Sequence, residues 1–121
     1  MMRKTLVIGA SEQPERYSNK VILSLLKHHH PVVAMANRSG KVGAINFLTT
    51  KEIVAHIDTV TLYINPEVQK EYMDYIVSLH PKRVIFNPGT ENPAFFEQLK
   101  KQGIEATEAC TLVLLNTDQY E

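Results

Sequence analysis

The chain has 121 residues, 44% of them hydrophobic, which favours one domain spanning residues 1–121 around a single core. Its formal net charge is zero, so bulk attraction to nucleic acid has no support. The apolar runs fall short of the roughly 18 residues that a membrane span needs, and no signal-peptide pattern precedes the first of them. We therefore expect a cytoplasmic protein that binds neither nucleic acid nor membrane. Cys110 is the only cysteine, which excludes an internal disulfide and a cysteine-based zinc site.

Apolar runs that suit strands alternate with periods that suit helices. The first run, KTLVIG at 4–9, is typical of a strand buried on both faces. Further strands are predicted at 31–36, irregularly around 44–48, and at 59–64, 83–87 and 104–107. Helical periods run from 17 to 26, 68 to 79 and 95 to 99. The alternation predicts a parallel sheet with helices on both faces.

Short signals mark where these helices begin and end. Asn65-Pro66 and Asn92-Pro93 each place an N-cap before a proline at the first helical position, and Gly103 suits a C-terminal cap. The stretch ACTLVLLNT at 109–117 suits a strand by composition and a final helix by length. The sequence alone does not decide between a strand and a helix for this stretch.

The turn after the first strand is the first candidate for a ligand contact, because ligands of such sheets bind at the carboxyl ends of the strands. In Gly9-Ala10-Ser11, the missing Cβ of Gly9 would let the backbone approach a ligand, and the amides of the turn and the next helix could face an anion. A purely structural glycine in a tight turn is the alternative. The dinucleotide fingerprint G-x-G-x-x-G is absent, since Ser11 and Pro14 stand where its later glycines belong.

The end of the second strand carries cations where a nicotinamide site would have an acid. The sequence there is Ala36-Asn37-Arg38-Ser39-Gly40-Lys41. Residues 16–51 also contain six lysines and arginines and no Asp or Glu. This pattern favours a ligand with a phosphate on its adenosine ribose, for which CoA and NADP both qualify; the alternative is a run of solvated surface charges.

An ordered set of motifs covers nearly the whole chain and resembles one family. These are GAS at 9–11, PERYSN at 14–19, the Asn37 turn, VTLYINPEV at 60–68, VIFNPGTEN at 84–92 and EACTLVLL at 108–115. They resemble the stand-alone CoA-binding protein family, small Rossmann-like proteins similar to the N-terminal domain of the succinyl-CoA synthetase alpha subunit. The resemblance implies a doubly wound α/β domain with five parallel strands in the order 3-2-1-4-5. It also implies CoA or an acyl-CoA lying across their carboxyl ends.

The resemblance further implies which residues contact each part of CoA. The pyrophosphate would be held by Gly9, Ala10, Ser11, Arg16 and Ser18, with Tyr17 beside them. The adenosine and its 3′-phosphate would be held by Asn37, Arg38 and Lys41. Ile64, Asn65 and Pro66 would line the adenine side, and Asn87 and Pro88 the pantetheine path. One departure is Arg38, where the family usually has a proline after the asparagine.

Three functions remain open. The leading one is a non-catalytic carrier, sensor or regulatory module that binds CoA or an acyl-CoA. A second is a CoA-binding subunit that completes an acyl-CoA ligase together with an ATP-grasp protein. A third, an NADP-dependent oxidoreductase, is disfavoured by the missing glycine pattern and the lack of a substrate domain. Related ligases use a phosphorylated histidine and a nucleotide-binding domain that 121 residues leave no room for, so we expect no catalysis by the chain alone. The oligomeric state is left open.

Other reactive side chains give weaker signals. Consecutive side chains on a helix point about 100° apart, so His28-His29-His30 is not expected to converge on a metal and suits a helix C-terminus instead. Ser11 lacks the G-x-S-x-G elbow of hydrolases. Cys110 is expected to be buried and inert, and a mixed disulfide with the CoA thiol is the alternative.

Overall fold

A computed structural model describes residues 2–121, which form an α/β Rossmann-like unit with seven strands and five helices. The strands are β1 (Thr5–Ile8), β2 (Val32–Met35), β3 (Lys41–Val42), β4 (Ile45–Leu48), β5 (Thr59–Leu62), β6 (Arg83–Phe86) and β7 (Glu105–Glu108). The helices are α1 (Tyr17–Lys27), α2 (Pro66–Gln69), α3 (Met73–Ser78), α4 (Pro93–Lys101) and α5 (Thr111–Asn116). No helix within residues 2–121 combines the length and hydrophobicity needed to cross a membrane.

All seven strands form one sheet in the order β3-β4-β2-β1-β5-β6-β7. Every pairing is parallel except that of β3 with β4. The expectation of five strands is therefore wrong. The expected order describes the middle of the sheet, β4-β2-β1-β5-β6, which is extended at one edge by β7 and at the other by β3. A turn at Gly43, whose φ is +58°, lets the chain double back and pair Lys41 and Val42 with Asn46 and Ile45.

Helices cover both faces of the sheet because its central strands are apolar on both sides. Leu6 and Ile8 of β1 face a core cluster that includes Ile76 of α3 and Phe95 of α4. Val7, between them, faces a second cluster with residues of α1 and α5. The stretch at 109–117 thus supplies a helix, α5, rather than a strand.

Both asparagine caps form as the sequence predicts. The side chain of Asn65 accepts a hydrogen bond from the Val68 amide at 2.9 Å, and Asn92 accepts from the Phe95 amide at 3.2 Å. The helix expected at 68–79 is instead divided into α2 and α3. Between the two, the amides of Glu71 and Tyr72 bond to carbonyls three residues back, which gives a tight turn instead of a continuous α-helix.

The segment after α5 covers the amino ends of the central strands. Tyr120 is 2% exposed, and its hydroxyl lies 2.5 Å from Oγ1 of Thr5 in β1. The guanidinium of Arg83 lies 4.5 Å from the centre of the Tyr120 ring, and the His30 ring meets that ring edge-on at 4.9 Å. The amino end of the sheet is thus closed by an aromatic contact. The carboxyl end carries the clefts described next.

Candidate functional site

Three adjoining depressions form one groove along the carboxyl ends of the strands. The central cleft, about 400 Å³, is lined by Gly9, Ser11, Gln13, Glu15, Arg16, Tyr17, Ser18, Arg38 and Tyr63. The strand-2 cleft, about 330 Å³, is lined by Ala10, Ser11, Glu12, Gln13, Ala36, Asn37, Arg38, Ser39 and Phe47. The apolar pocket, about 280 Å³, is lined by Tyr17, Tyr63, Asn87, Pro88, Cys110, Leu112, Val113 and Asn116. Because neighbouring depressions share lining residues, the groove runs from the end of β2, over β1, to β6 and α5.

Gly9 is required by the packing of the protein itself. Its φ is +96°, and a Cβ there would lie 2.7 Å from the carbonyl oxygen of Tyr63. The amides of Gly9 and Ala10 both donate to the carbonyl of Met35 at 3.0 Å. The structural alternative is therefore sufficient to explain why this residue is glycine, and the amides of Gly9 and Ala10 are already bonded within the protein. Gly9 also lines the central cleft, so the approach of a ligand to its backbone stays a prediction.

The N-terminus of α1 borders the central cleft, which its Arg16, Tyr17 and Ser18 line. Its N-cap residue, Arg16, makes no side-chain capping bond, in contrast to Asn65 and Asn92 at α2 and α4. The first amides of a helix have no carbonyl partner within it, and the helix dipole is positive at this end. Ser18, 4% exposed, lies in this first turn and lines the cleft. The next residue, Asn19, donates to the Ser11 carbonyl at 3.0 Å and so fixes the turn against the helix.

The charges along the groove are mixed. Arg16 and Arg38 line the central cleft, but Glu15 lines it too and Glu12 lines the strand-2 cleft. The Glu12 carboxylate accepts a hydrogen bond from the Lys41 amide at 3.0 Å and so joins the turn after β1 to the loop after β2. The acid-free segment of the sequence is therefore not an acid-free site.

Three of the other four cations of that segment lie apart from the groove. The fourth, Lys20, has its ammonium 5.5 Å from the centre of the ring of Tyr17, which lines the central cleft and the apolar pocket. The Lys41 side chain is exposed on β3 and lines none of the three depressions. Lys51 lies with its ammonium 5.1 Å from the centre of the Tyr72 ring. Lys27 belongs to the last turn of α1, far along the helix from Arg16. Of the six cations, Arg16 and Arg38 alone line the groove within the part of the chain that the structure describes.

Asn87 positions the floor of the apolar pocket with a side chain whose polar atoms are already committed. It is 2% exposed, and its amide nitrogen donates to Thr61 Oγ1 at 2.7 Å and to the Leu62 carbonyl at 2.9 Å. Its amide oxygen accepts from the Thr111 amide at 2.9 Å. These three bonds hold β5, β6 and the start of α5 together. Asn87 therefore shapes the pocket, and its side-chain polar atoms are already hydrogen-bonded within the protein.

Tyr63 is a groove residue that the sequence reading missed. It lines both the central cleft and the apolar pocket, and its hydroxyl is buried beside the hydroxyl groups of Thr61 and Thr111. Burial raises the pKa of Tyr63, so the hydroxyl stays protonated. Its position directly after β5 was a signal that could have found it, since the side chains that follow each strand line this edge.

The predicted adenine-side residues do not line the three depressions, although the Ile64 side chain lies beside Gly9 of the central cleft. Ile64 packs against the core cluster beneath β5, Asn65 caps α2, and Pro66 begins that helix. None of the three lines a described cleft. Pro88, by contrast, lines the apolar pocket. Cys110 also lines it, as the N-cap residue of α5, and is partly exposed rather than buried as expected.

The three histidines end α1 in different ways. The His28 ring nitrogen Nδ1 lies 2.8 Å from the Ser24 carbonyl in the last turn. His29 has a φ of +64°, and the His29 and His30 amides bond to the carbonyls of Leu26 and Leu25, as in a Schellman motif. His30 is buried against Tyr120. Within residues 2–121 no cluster of three or more metal-ligating side chains is present.

The comparison with protein families decides the relationship that the motifs suggest. Residues 3–116 match a family model described as a CoA binding domain. The chain belongs to this family. A comparison with curated proteins gives no match.

Solved structures similar to this CoA binding domain share its whole fold. An uncharacterised protein is 41% identical, with a TM-score of 0.96 and 98% of each chain covered. A hypothetical protein from Pyrococcus horikoshii OT3 is 23% identical, with a TM-score of 0.86, over 99% of this chain and 85% of the other. A protein redesigned for binding is 24% identical, with a TM-score of 0.88, over 99% of this chain and 86% of the other. The last two likenesses show the fold alone.

Proposed function

We propose that this chain binds coenzyme A or an acyl-CoA and acts as a non-catalytic carrier, sensor or regulatory module. The observation that carries the proposal is the groove, which is polar and cationic at the α1 N-terminus and apolar between Tyr63 and α5. CoA has the same division, with a nucleotide polyphosphate at one end and a pantetheine arm at the other. Membership of the CoA binding domain family supports the same ligand.

The groove suggests a place for each part of the ligand. The pyrophosphate fits the uncapped start of α1, beside Ser11, Arg16 and Ser18. The ribose 3′-phosphate fits the strand-2 cleft beside Asn37 and Arg38. The pantetheine arm would pass Tyr17 and Tyr63 into the apolar pocket, where Pro88 lies. Lys41 and the Ile64–Pro66 stretch stay predicted contacts that have no support from the groove.

A thermal unfolding series tests the ligand class. A ligand at 100 times its Kd stabilises the folded state by about 2.7 kcal/mol, so ligands can be ranked by the rise in Tm. We expect decreasing stabilisation from CoA through dephospho-CoA and NADP to NAD. A charge-assisted hydrogen bond to the 3′-phosphate makes dephospho-CoA at least about tenfold weaker than CoA, and the difference shrinks as salt rises. NAD stabilising the protein more than CoA would contradict the proposal.

Two single variants distinguish the contributions of Arg38 and Lys41 to binding of the 3′-phosphate. Arg38→Ala should abolish the preference for CoA over dephospho-CoA, because Arg38 lines both polar depressions. Lys41→Ala is the matched control, since it removes a nearby cation on β3 whose side chain lines none of the three depressions, and it should leave the preference intact. The reverse result would place the 3′-phosphate at Lys41, and an unchanged preference in both variants would place it elsewhere.

One observation favours a dinucleotide cofactor as a second candidate. Glu12 brings a carboxylate into the strand-2 cleft, where an acid could accept hydrogen bonds from ribose hydroxyls. Glu12→Gln keeps an oxygen for the Lys41 amide and removes the charge. If the ligand is CoA, this variant should bind it more tightly, because a charge that repels the 3′-phosphate is lost. Weaker binding of NAD together with unchanged binding of CoA would favour the dinucleotide.

A further inference from the structure

The lining of the apolar pocket suits an apolar, uncharged group. The side chains that line it, within the described chain, include neither an acid nor a base. The side-chain amide of Asn87 is hydrogen-bonded to Thr61, Leu62 and Thr111, and the Tyr63 hydroxyl is buried below the surface. No side chain that lines the pocket could therefore neutralise a carboxylate that entered it. Lys20, whose ammonium lies 5.5 Å from the centre of the Tyr17 ring, is not among the lining residues.

Two exposed apolar side chains flank the same pocket. Tyr17 is 62% exposed and Val113 is 54% exposed, although most large hydrophobic side chains of the protein lie in its two cores. Tyr17 extends from the first turn of α1 and Val113 from the outer side of α5, and both line the pocket. An apolar group lying between them would cover the surface that the empty protein leaves in water.

We propose that this pocket accepts the acyl group of a CoA thioester, and that it selects short, uncharged aliphatic acyl groups. The inference rests on the proposed function, because the rest of the groove must first hold the CoA portion. Free CoA ends in a thiol and covers little of the exposed apolar surface. A dicarboxylic acyl group would bring an uncompensated carboxylate into an apolar, partly enclosed space, which is unfavourable. The preferred ligands are therefore acetyl-, propionyl- and butyryl-like thioesters over free CoA and over malonyl- or succinyl-CoA.

The test is a titration series followed by calorimetry, with free CoA, acetyl-, propionyl-, butyryl- and succinyl-CoA, and with adenosine 3′,5′-bisphosphate, which lacks the arm. Each added methylene should tighten binding about fourfold, the factor that corresponds to about 0.8 kcal/mol for a buried CH₂, until the pocket is full. Succinyl-CoA should bind at least about tenfold more weakly than butyryl-CoA, which has the same number of acyl carbons.

Val113→Lys tests the location of the acyl group. Its side chain is exposed, so the substitution should leave the fold intact, and the new cation should reverse the preference from butyryl- to succinyl-CoA. Val68→Lys, at another exposed valine, lies in α2 away from the pocket and should leave the whole series unchanged. Binding of adenosine 3′,5′-bisphosphate should be the same in both variants and the wild type.

The outcomes distinguish this proposal from the one on which it rests. If CoA binds and every thioester binds no more tightly than CoA, the pocket does not hold the acyl group, and CoA binding stands. The same conclusion follows if Val113→Lys leaves the butyryl-to-succinyl preference unchanged. If neither CoA nor adenosine 3′,5′-bisphosphate binds the wild type, the proposed function itself fails, and the acyl proposal fails with it.

Discussion

Substituting alanine for Gly9 should destabilise the protein through a clash that a second glycine variant can isolate. A Cβ at Gly9 would lie 2.7 Å from the carbonyl oxygen and 2.9 Å from the carbonyl carbon of Tyr63, whereas ordinary contact begins near 3.4 Å. Relieving such an overlap costs about 1–3 kcal/mol, and a side chain at a φ of +96° costs about 1–3 kcal/mol more. We therefore expect Gly9→Ala to lower the free energy of unfolding by about 2–6 kcal/mol.

Gly89→Ala is the matched control for this prediction. Gly89 has nearly the same φ, +90°, and nothing lies within 4 Å of the position of its added Cβ among the described atoms. The two substitutions share the backbone strain and the effect of alanine on the unfolded chain, so their difference, about 1–3 kcal/mol, measures the contact with Tyr63 alone. Urea unfolding of both variants measures it, since the midpoint shifts while the m-value stays constant. Equal losses in the two variants would refute the reasoning that Tyr63 makes Gly9 obligatory.

Three further predictions concern other parts of the molecule. Burial lowers the pKa of His30 from its usual 6.5, against the opposing effect of Glu121, and its Nδ1 accepts a hydrogen bond from the Arg3 amide at 2.9 Å. As pH falls, His30 therefore takes up a proton in the unfolded chain before it does so in the folded one, and the free energy of unfolding should decrease below about pH 6.5. In urea unfolding between pH 5 and 8, His30→Asn should flatten this dependence of the free energy of unfolding on pH, whereas the exposed-site variant His29→Asn should not. An unchanged pH dependence in His30→Asn would assign the effect to another group. Tyr63→Phe removes a buried hydroxyl that lies beside Thr61 and Thr111 without a well-aligned hydrogen bond, and should raise the free energy of unfolding by up to about 1 kcal/mol. Tyr120→Phe loses the bond to Thr5 and should lower the free energy of unfolding by about 1 kcal/mol. A loss in both variants would show that the Tyr63 hydroxyl is bonded to Thr61 or Thr111. Given ATP, CoA and a carboxylic acid, the chain alone should form no thioester by mass spectrometry, and repeated turnover would reveal an active site that the groove does not suggest.

The features predicted best from the sequence are those decided by neighbouring residues. Asn65-Pro66 and Asn92-Pro93 cap helices by local geometry, as the sequence predicts. The third Asn-Pro pair, Asn87-Pro88, begins no helix, because the Asn87 side chain bonds to β5 and α5 instead. Continuous apolar runs identify β1, β5 and β6, because a strand buried on both faces needs apolar side chains on both faces. Both kinds of signal are complete within about six residues of chain.

Features that depend on distant residues were missed. The strand predicted at 104–107 forms as β7, although the five-strand count implied by the family resemblance left it out. Strand β3 was missed, because its two residues pair through a glycine turn rather than through apolar character. The charge pattern treated 16–51 as a surface without acids, but the fold brings Glu12 onto the Lys41 amide. The need for glycine at position 9 came from Tyr63, which is more than fifty residues away. A linear reading identifies the residues at the ends of strands but not which of them touch.

The contact between Thr5 and Tyr120 has a consequence for folding during synthesis. These residues are 115 positions apart, and β1, translated first, lies in the middle of the sheet with β5 as one of its two neighbours. The ribosome must therefore release the chain past residue 62 before both edges of β1 can pair, and past residue 120 before its amino end is covered. Parallel pairing over such separations makes folding slow and leaves an apolar strand edge unpaired on the nascent chain. A nascent chain of this protein should thus engage chaperones that hold extended apolar segments until the region around Tyr120 has emerged.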